Sequence, residues 1–211
     1  MRKEIFIVLF TVFQVIVGQI LQFGECKDVK TMELFQIDKF LGKWYVIEKF
    51  PIWYETDGHC ALKVFQLCGR RVRIQSGYIK GDIQYVLHVN SSYSSGDEAV
   101  FPIEANNVDP VGVPLSVVST DYTNYSVLYG CRVNGNLQLK YVNAWILSRS
   151  TTLSDDLLEQ ARHQLKLLPD ANTVYLKKED HSDCSYQWTA QIHAVNINSD
   201  IETMDETQEC K

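Results

Sequence analysis

The sequence predicts an all-β protein: an eight-stranded antiparallel up-and-down β-barrel with one C-terminal α-helix packed outside it. Two observations carry this expectation. Short runs of strand-forming residues follow one another from residue 42 to residue 147, separated by turn signals at Gly69, Lys80-Gly81-Asp82, Ser95-Gly96-Asp97 and Asn134-Gly135-Asn136. One stretch, 154–168, instead repeats its apolar residues at helical spacing. A meander has to hide its edges, and eight strands close into a barrel just wide enough to hold one small ligand.

The chain opens with Arg2 and Lys3 ahead of an apolar run from Ile5 to Val17 and then Gly18, the pattern of a secretory signal peptide over residues 1–18. As a helix that run spans roughly 20 Å, short of the ~30 Å core that a membrane anchor has to cross. The globular domain is assigned to 19–198. Its first strand, GKWYVIEKFP over 42–51, follows a turn at Asp38–Leu41. Trp44, Tyr45, Val46 and Ile47 run on without a polar gap, so the Gly42 end is expected to be covered on both faces, while Glu48, Lys49 and Pro51 are expected to open to water. Further strands are expected at 60–67, 71–79, 83–89, 99–105, 114–119, 125–131 and 137–147. The helix carries Leu157, Leu158, Ala161, Leu165 and Leu168 on one stripe, with Asp155 and Asp156 at its positive end and Pro169 as its stop. A single stripe seeks a single partner, so the helix is expected against the outside of the barrel, leaving the interior free. A short strand at Thr173–Lys177 follows, and then an acidic tail over 199–211, where Asp200, Glu202, Asp205, Glu206 and Glu209 face only Lys211.

Composition removes several function classes. The net charge of −6 repels phosphate backbones, and the one basic cluster, Arg70, Arg71 and Arg73 beside Gly69, reads as a solvated hairpin, so no nucleic-acid partner is expected. Six cysteines (Cys26, Cys60, Cys68, Cys131, Cys184 and Cys210) lie beyond the leader, an even number suited to three bridges in an oxidising compartment. No Cys-x-x-Cys pair supports a zinc ribbon, and no metal is expected. No Gly-x-Ser-x-Gly supports a serine hydrolase, and the chain is not expected to be an enzyme. Asn90-Ser-Ser and Asn124-Tyr-Ser are acceptor sequons for glycosylation of Asn90 and Asn124.

Three motifs occur in order along the chain: Gly42-Lys43-Trp44-Tyr45 after the short turn, Thr120-Asp121-Tyr122, and Arg149 closing Asn143-Ala144-Trp145-Ile146-Leu147-Ser148-Arg149. With a helix after the third, the sequence resembles the lipocalins over about Cys26 to Cys184. The resemblance implies that Trp44 lies at the closed floor of the barrel and that Arg149 packs across it, a pairing that ring and guanidinium stacking favours. Within the family it resembles the branch of apolipoprotein D and the insect bilin-binding proteins. The residues that carry this are Cys26-Lys27-Asp28-Val29-Lys30, Glu48-Lys49-Phe50-Pro51, Thr120-Asp121-Tyr122-Thr123-Asn124-Tyr125 and Ala144-Trp145-Ile146-Leu147. That branch implies bridges of Cys26 with Cys131 and of Cys60 with Cys184. Cys68 and Cys210 depart from its pattern, and both a third bridge and intermolecular pairing stay open for them.

Strand parity places a ligand. If Arg149 reaches beneath the floor, Leu147, Trp145, Asn143 and Tyr141 share its face and point inward. If Asn90 faces solvent as a glycosylation site, then Val89, Leu87, Tyr85 and Ile83 point inward. Trp145 and Phe65 match inward aromatics of the resembled branch, and Leu115 is placed near the mouth. The expected function is secretion followed by carriage of a small hydrophobic ligand, whether lipid, fatty acid, sterol, retinoid or bilin, with no further cofactor. Two other readings compete. Loop residues Pro51, Ile52, Trp53 and Tyr54, with Val111, Val113 and Pro114, would contact a membrane or a receptor and make the barrel a scaffold. Alternatively, a Cys68 thiol would serve a lipocalin-type isomerase.

Overall fold

The computed structural model describes residues 20–197, apart from 56, 94, 95, 97, 136 and 137, together with Cys210. The signal peptide over 1–18 lies outside the described residues, as does the tail over 199–211 apart from Cys210. The strands are β1 (Ile20–Phe23), β2 (Gly42–Lys49), β3 (His59–Cys68), β4 (Arg71–Lys80), β5 (Ile83–Ser92), β6 (Val100–Phe101), β7 (Leu115–Thr120), β8 (Tyr125–Asn134), β9 (Leu139–Ser148), β10 (Lys177–Lys178) and β11 (Trp188–His193). A short helical turn, α1 (Ile37–Phe40), precedes β2, and the long helix α2 (Asp155–Lys166) follows β9.

Antiparallel pairing runs β5-β4-β3-β2-β9-β8-β7-β6, so the first and last long strands, β2 and β9, join side by side and wrap the meander into a barrel. The two ends of this order do not pair with each other. The C-terminal segment lies between them: β11 runs parallel to β5, with His193 opposite His88, and residues 195–197 then bond to 105–107 through Asn107 N to Val195 O and Ile197 N to Ala105 O. The strand order is therefore open, and the C-terminal segment bridges the gap between β5 and the chain after β6.

Two apolar layers share the wall. Trp44, Val46, Phe65, Leu87, Val117 and Trp145 fill the interior, and Ile47, Val127, Ala144, Ile146, Ala161 and Leu165 pack between the wall and α2. Because α2 covers β2, β8 and β9 from outside, those strands are buried on both faces, which is why Val46 and Ile47 are adjacent yet both buried.

Four local expectations need correction. Val100–Phe101 is the only strand formed within 99–105, and Thr173–Tyr175 is a 3-10 turn ahead of the two-residue β10. Strands β1 and β11, which pair with β9 and β5, had no counterpart in the sequence reading. The fourth correction concerns the charged end of β2, which does not open to water: Glu48 and Lys49 are 3% and 8% exposed. Beyond Tyr45 the β2 to β3 pairing stops, and residues 177–180 enter the gap, with Lys177 opposite Lys49 and Cys60 N bonded to Asp180 O. Glu48 is met from outside by Arg162 of α2, whose Nε donates to Oε2 at 2.9 Å. Lys49 lies 3.1 Å from Glu55 and 3.3 Å from Glu179. These charges are paired by residues distant in sequence, which periodicity within one strand does not register.

Disulfides join Cys26 to Cys131, Cys60 to Cys184 and Cys68 to Cys210, across sequence separations of 105, 124 and 142 residues. Closing loops of this size is worth about 4 to 5 kcal/mol each in the chain-entropy account. The second and third bridges anchor the chain on either side of β11 to the two ends of β3.

Two outcomes follow for stability. Replacing Lys49 by Met leaves two buried carboxylates without their shared cation and is expected to cost about 3 kcal/mol or more in urea denaturation, part of it recovered by adding Glu179→Gln. Removing the guanidinium of Arg149 by substitution with Ala is expected to cost about 3 kcal/mol in the same assay, with Lys restoring little because it lacks the planar fork.

Candidate functional site

The floor of the barrel is built by one arginine. The Arg149 guanidinium lies 3.7 Å from the centroid of the Trp44 ring. Its Nε donates to Tyr122 O at 3.1 Å, its Nη1 to Lys43 O at 2.9 Å and its Nη2 to Lys39 O at 2.9 Å and Phe40 O at 3.2 Å. Trp44 returns the contact by donating its indole N–H to Phe40 O at 2.8 Å. Gly42 has φ +94°, a backbone conformation that favours glycine, and a Cβ there would lie in ordinary contact with Arg149 Nη1 at 3.4 Å. Thr120 and Asp121 shape the adjoining loop. Thr120 Oγ1 donates to Tyr125 O and accepts from Tyr122 N, while Asp121 accepts backbone N–H groups of Thr123, Asn124 and Tyr125. Burial alone would raise the Asp121 carboxyl; the Asn124 side chain and these N–H groups outweigh it and hold the carboxyl below its ordinary range.

Above the floor, Phe40, Phe65 and Phe101 form an aromatic layer with ring centroids 4.9 to 6.1 Å apart. Over this layer lies a cavity of about 40 Å³, room for no more than a few water molecules. Of the residues singled out by parity and resemblance, Leu87, Val89, Leu115, Asn143 and Trp145 border it, and Ile83 does not. Four others also lie elsewhere. Phe65 belongs to the aromatic layer, Leu147 is fully buried in the interior core, Tyr85 stacks on Tyr78 at 5.3 Å, and Tyr141 is half-buried beside Leu21 and Arg132.

Sequence reasoning missed the polar side of this cavity. Lys63, Ser76 and Asp109 border it, and Tyr54 and Val113 reach it from the mouth loops. Lys63 is 2% exposed; its Nζ donates to Ser76 Oγ at 2.8 Å, lies 3.6 Å from Glu55 Oε1 and sits 4.6 Å from the centroid of the Trp145 ring. Burial pushes the Lys63 ammonium down, Glu55 opposes this, and Lys49 adds to it. Burial would raise the Glu55 carboxyl, but Lys63 and Lys49 together hold it below the usual carboxylate range. A signal for Lys63 was present: it shares strand parity with Phe65, two residues on, which the sequence reading already placed inward.

The mouth loops turn in more than out. Ile52 is buried and Tyr54 half-buried, whereas Trp53 between them is exposed. On the opposite loop Asp109 accepts the backbone N–H groups of Val111, Gly112 and Val113, and buries Val113. Gly130 of β8 permits this closeness, since a Cβ there would meet Pro114 O at 2.2 Å. Of the two sequons, Asn124 is exposed and its side-chain amide donates to Asp121, while Asn90 is half-buried on β5. Cys68, the one candidate thiol for isomerase chemistry, has its sulfur bonded to Cys210. Cys60, His181 and Cys184 cluster closely enough to suggest a metal, but the two sulfurs are joined to each other and a ring nitrogen of His181 lies 2.7 Å from Val46 O.

Comparison with known proteins agrees with this architecture. The chain is 26% identical to insecticyanin-B of Manduca sexta over 203 residues, covering 91% of this chain and 97% of that one. It is 27% identical to apolipoprotein D of Cavia porcellus over 174 residues (79% and 88%) and 25% identical to the bilin-binding protein of Pieris brassicae over 166 residues (77% and 87%). The solved structure of insecticyanin from Manduca sexta superposes with a TM-score of 0.67 over 83% of this chain and 97% of that one, at 24% identity, which speaks for the fold. The family model for the lipocalin / cytosolic fatty-acid binding proteins matches residues 41–180, from the turn before Trp44 to beyond β10, and the chain belongs to that family, in the branch of apolipoprotein D and the bilin-binding proteins.

Proposed function

We propose that the protein is a secreted carrier of a small hydrophobic molecule, held in the cavity bordered by Leu87, Leu115, Asn143 and Trp145. The observation that carries this reading is an enclosed, mainly apolar cavity in a barrel whose floor is sealed and whose mouth is covered only by loop side chains. Similarity to an apolipoprotein and to a bilin-binding protein supports the class of cargo, and three disulfides with the N-terminal leader pattern support secretion.

At about 40 Å³ the cavity is far smaller than the roughly 300 Å³ or more of a drug-sized site, so a ligand enters only as side chains move aside. Tyr54 and Val113 are the ones in place to do so. Both come from loops, where rearrangement costs less than in the paired wall.

Tryptophan fluorescence of the protein from residue 19 onward, titrated with a fatty acid, a sterol, a retinoid and a bilin, tests the reading. Saturable quenching by at least one class, weakened in the Trp145→Phe variant, is the expected result; flat curves for all four would leave the barrel a scaffold without cargo. In the same assay Tyr54→Ala, by opening the mouth, is expected to speed association several-fold while leaving the fold intact by circular dichroism.

A further inference from the structure

Two hydrogen-bond donors at the cavity are incompletely used. Trp145 Nε1 is buried and has no hydrogen-bond partner among the described residues, although the ring is only 1% exposed. Lys63 carries three N–H groups on Nζ: one is used by Ser76 at 2.8 Å, another faces Glu55 at 3.6 Å, a carboxylate shared with Lys49 at 3.1 Å, and Nζ lies 4.6 Å from the Trp145 ring centroid, a cation–π contact that leaves a lone-pair acceptor to be supplied. A buried donor without an acceptor carries the desolvation penalty of its polar group, and a native core rarely tolerates one without a reason. Both side chains border the same cavity, whose remaining wall is largely apolar: Ile74, Leu87, Val89, Ile103 and Leu115.

The charges around the cavity decide which acceptor suits these donors. Lys49 and Lys63 are balanced by Glu55 and Glu179, and Asp109, 8% exposed, adds a further carboxylate at the cavity wall. A ligand carboxylate would bring another negative charge into this buried, already compensated group and would face Glu55 and Asp109 at close range. An uncharged carbonyl oxygen leaves the balance unchanged, and its two lone pairs offer an acceptor to each donor.

We infer that Lys63 and Trp145 form an acceptor-reading subsite, and that the ligand is an apolar molecule bearing a neutral carbonyl group, a ketone or an amide, rather than a free acid. This rests on the carrier reading above and narrows it: the apolar wall supplies affinity for the body of the molecule, while the lysine and the indole select the oxygen.

A matched series tests it: a long-chain methyl ketone, the fatty acid of the same length and the corresponding alkane, each titrated into the full secreted protein by tryptophan quenching. The ketone is expected to bind about tenfold or more tighter than the alkane, as a hydrogen bond to a charged donor implies, and tighter than the acid. In Lys63→Met the preference for the ketone over the alkane is expected to disappear. With a 13C-labelled ketone, the carbonyl stretch is expected to move to lower frequency on binding the wild type and to lose that shift in the variant. Equal affinities for ketone and alkane in the wild type, or tightest binding of the acid, would overturn the subsite and leave the carrier reading standing. No binding of any of the three would remove the carrier reading and the subsite together. Because the comparison within the wild type is decisive, loss of folding in Lys63→Met would not rescue the inference.

Discussion

The stack of Arg149 on Trp44 ties together three stretches of backbone at the closed end of the barrel. One planar guanidinium donates to the carbonyls of the turn before β2, of β2 itself and of the loop between β7 and β8, while its face covers an indole that would otherwise end the core abruptly. Only arginine offers so many donors in a fixed plane with a face flat enough to stack. The surrounding motif residues are accessories to this contact. Gly42 supplies the positive φ at the start of β2, Thr120 and Asp121 set the loop that presents the Tyr122 carbonyl, and Phe40 receives the indole N–H. A barrel sealed in this way at one end has one direction left in which its interior can communicate with solvent.

At that other end the protein uses charge where most cores use hydrocarbon. Lys49 joins Glu55 from the mouth loop to Glu179 from the segment beside β10, and Lys63 extends the same group inward to the cavity. Such a cluster contributes little net stability when complete, yet is costly to break, so it defines where the loop and the C-terminal segment sit more than how firmly they sit. It also fixes the polarity of the cavity before any ligand arrives. An apolar barrel with a neutral lining would accept many molecules of similar bulk; in the proposed carrier, a lysine over a tryptophan would make the chemistry of one end of the cargo matter.

How far the fold could be read from the chain depended on the range of each interaction. Strand runs, the helix and the motif residues follow from local pattern, and β2 to β5, β7 to β9 and α2 lie where the periodicity puts them. What was not legible came from contacts between distant segments. Glu48 and Lys49 look solvated because Arg162 and Glu179 are more than a hundred residues away; β11 does alternate, Trp188, Ala190 and Ile192 against Thr189, Gln191 and His193, but its parallel pairing with β5, a hundred residues earlier, has no local signal. Within the cavity, parity brought Leu87, Asn143 and Trp145 to one place. It could not tell height along the barrel, so Phe65 and Leu147 fall below the cavity and Tyr141 to one side. The polar members escaped for a different reason: a lysine in a strand is ordinarily read as facing water, whatever its neighbours' parity.

The gap between β5 and the segment after β6 is bridged by residues 188–197. Without them the remaining strands would make a trough open along its flank, with two unpaired edges. The mouth is guarded by Tyr54 and Val113, whereas a flank without the segment would carry no such restriction. Once Cys184 and Cys210 oxidise onto the two ends of β3, the closing strand is stitched in place at both sides. The C-terminal segment thus sets the direction of access: it covers the flank and leaves the terminal entrance.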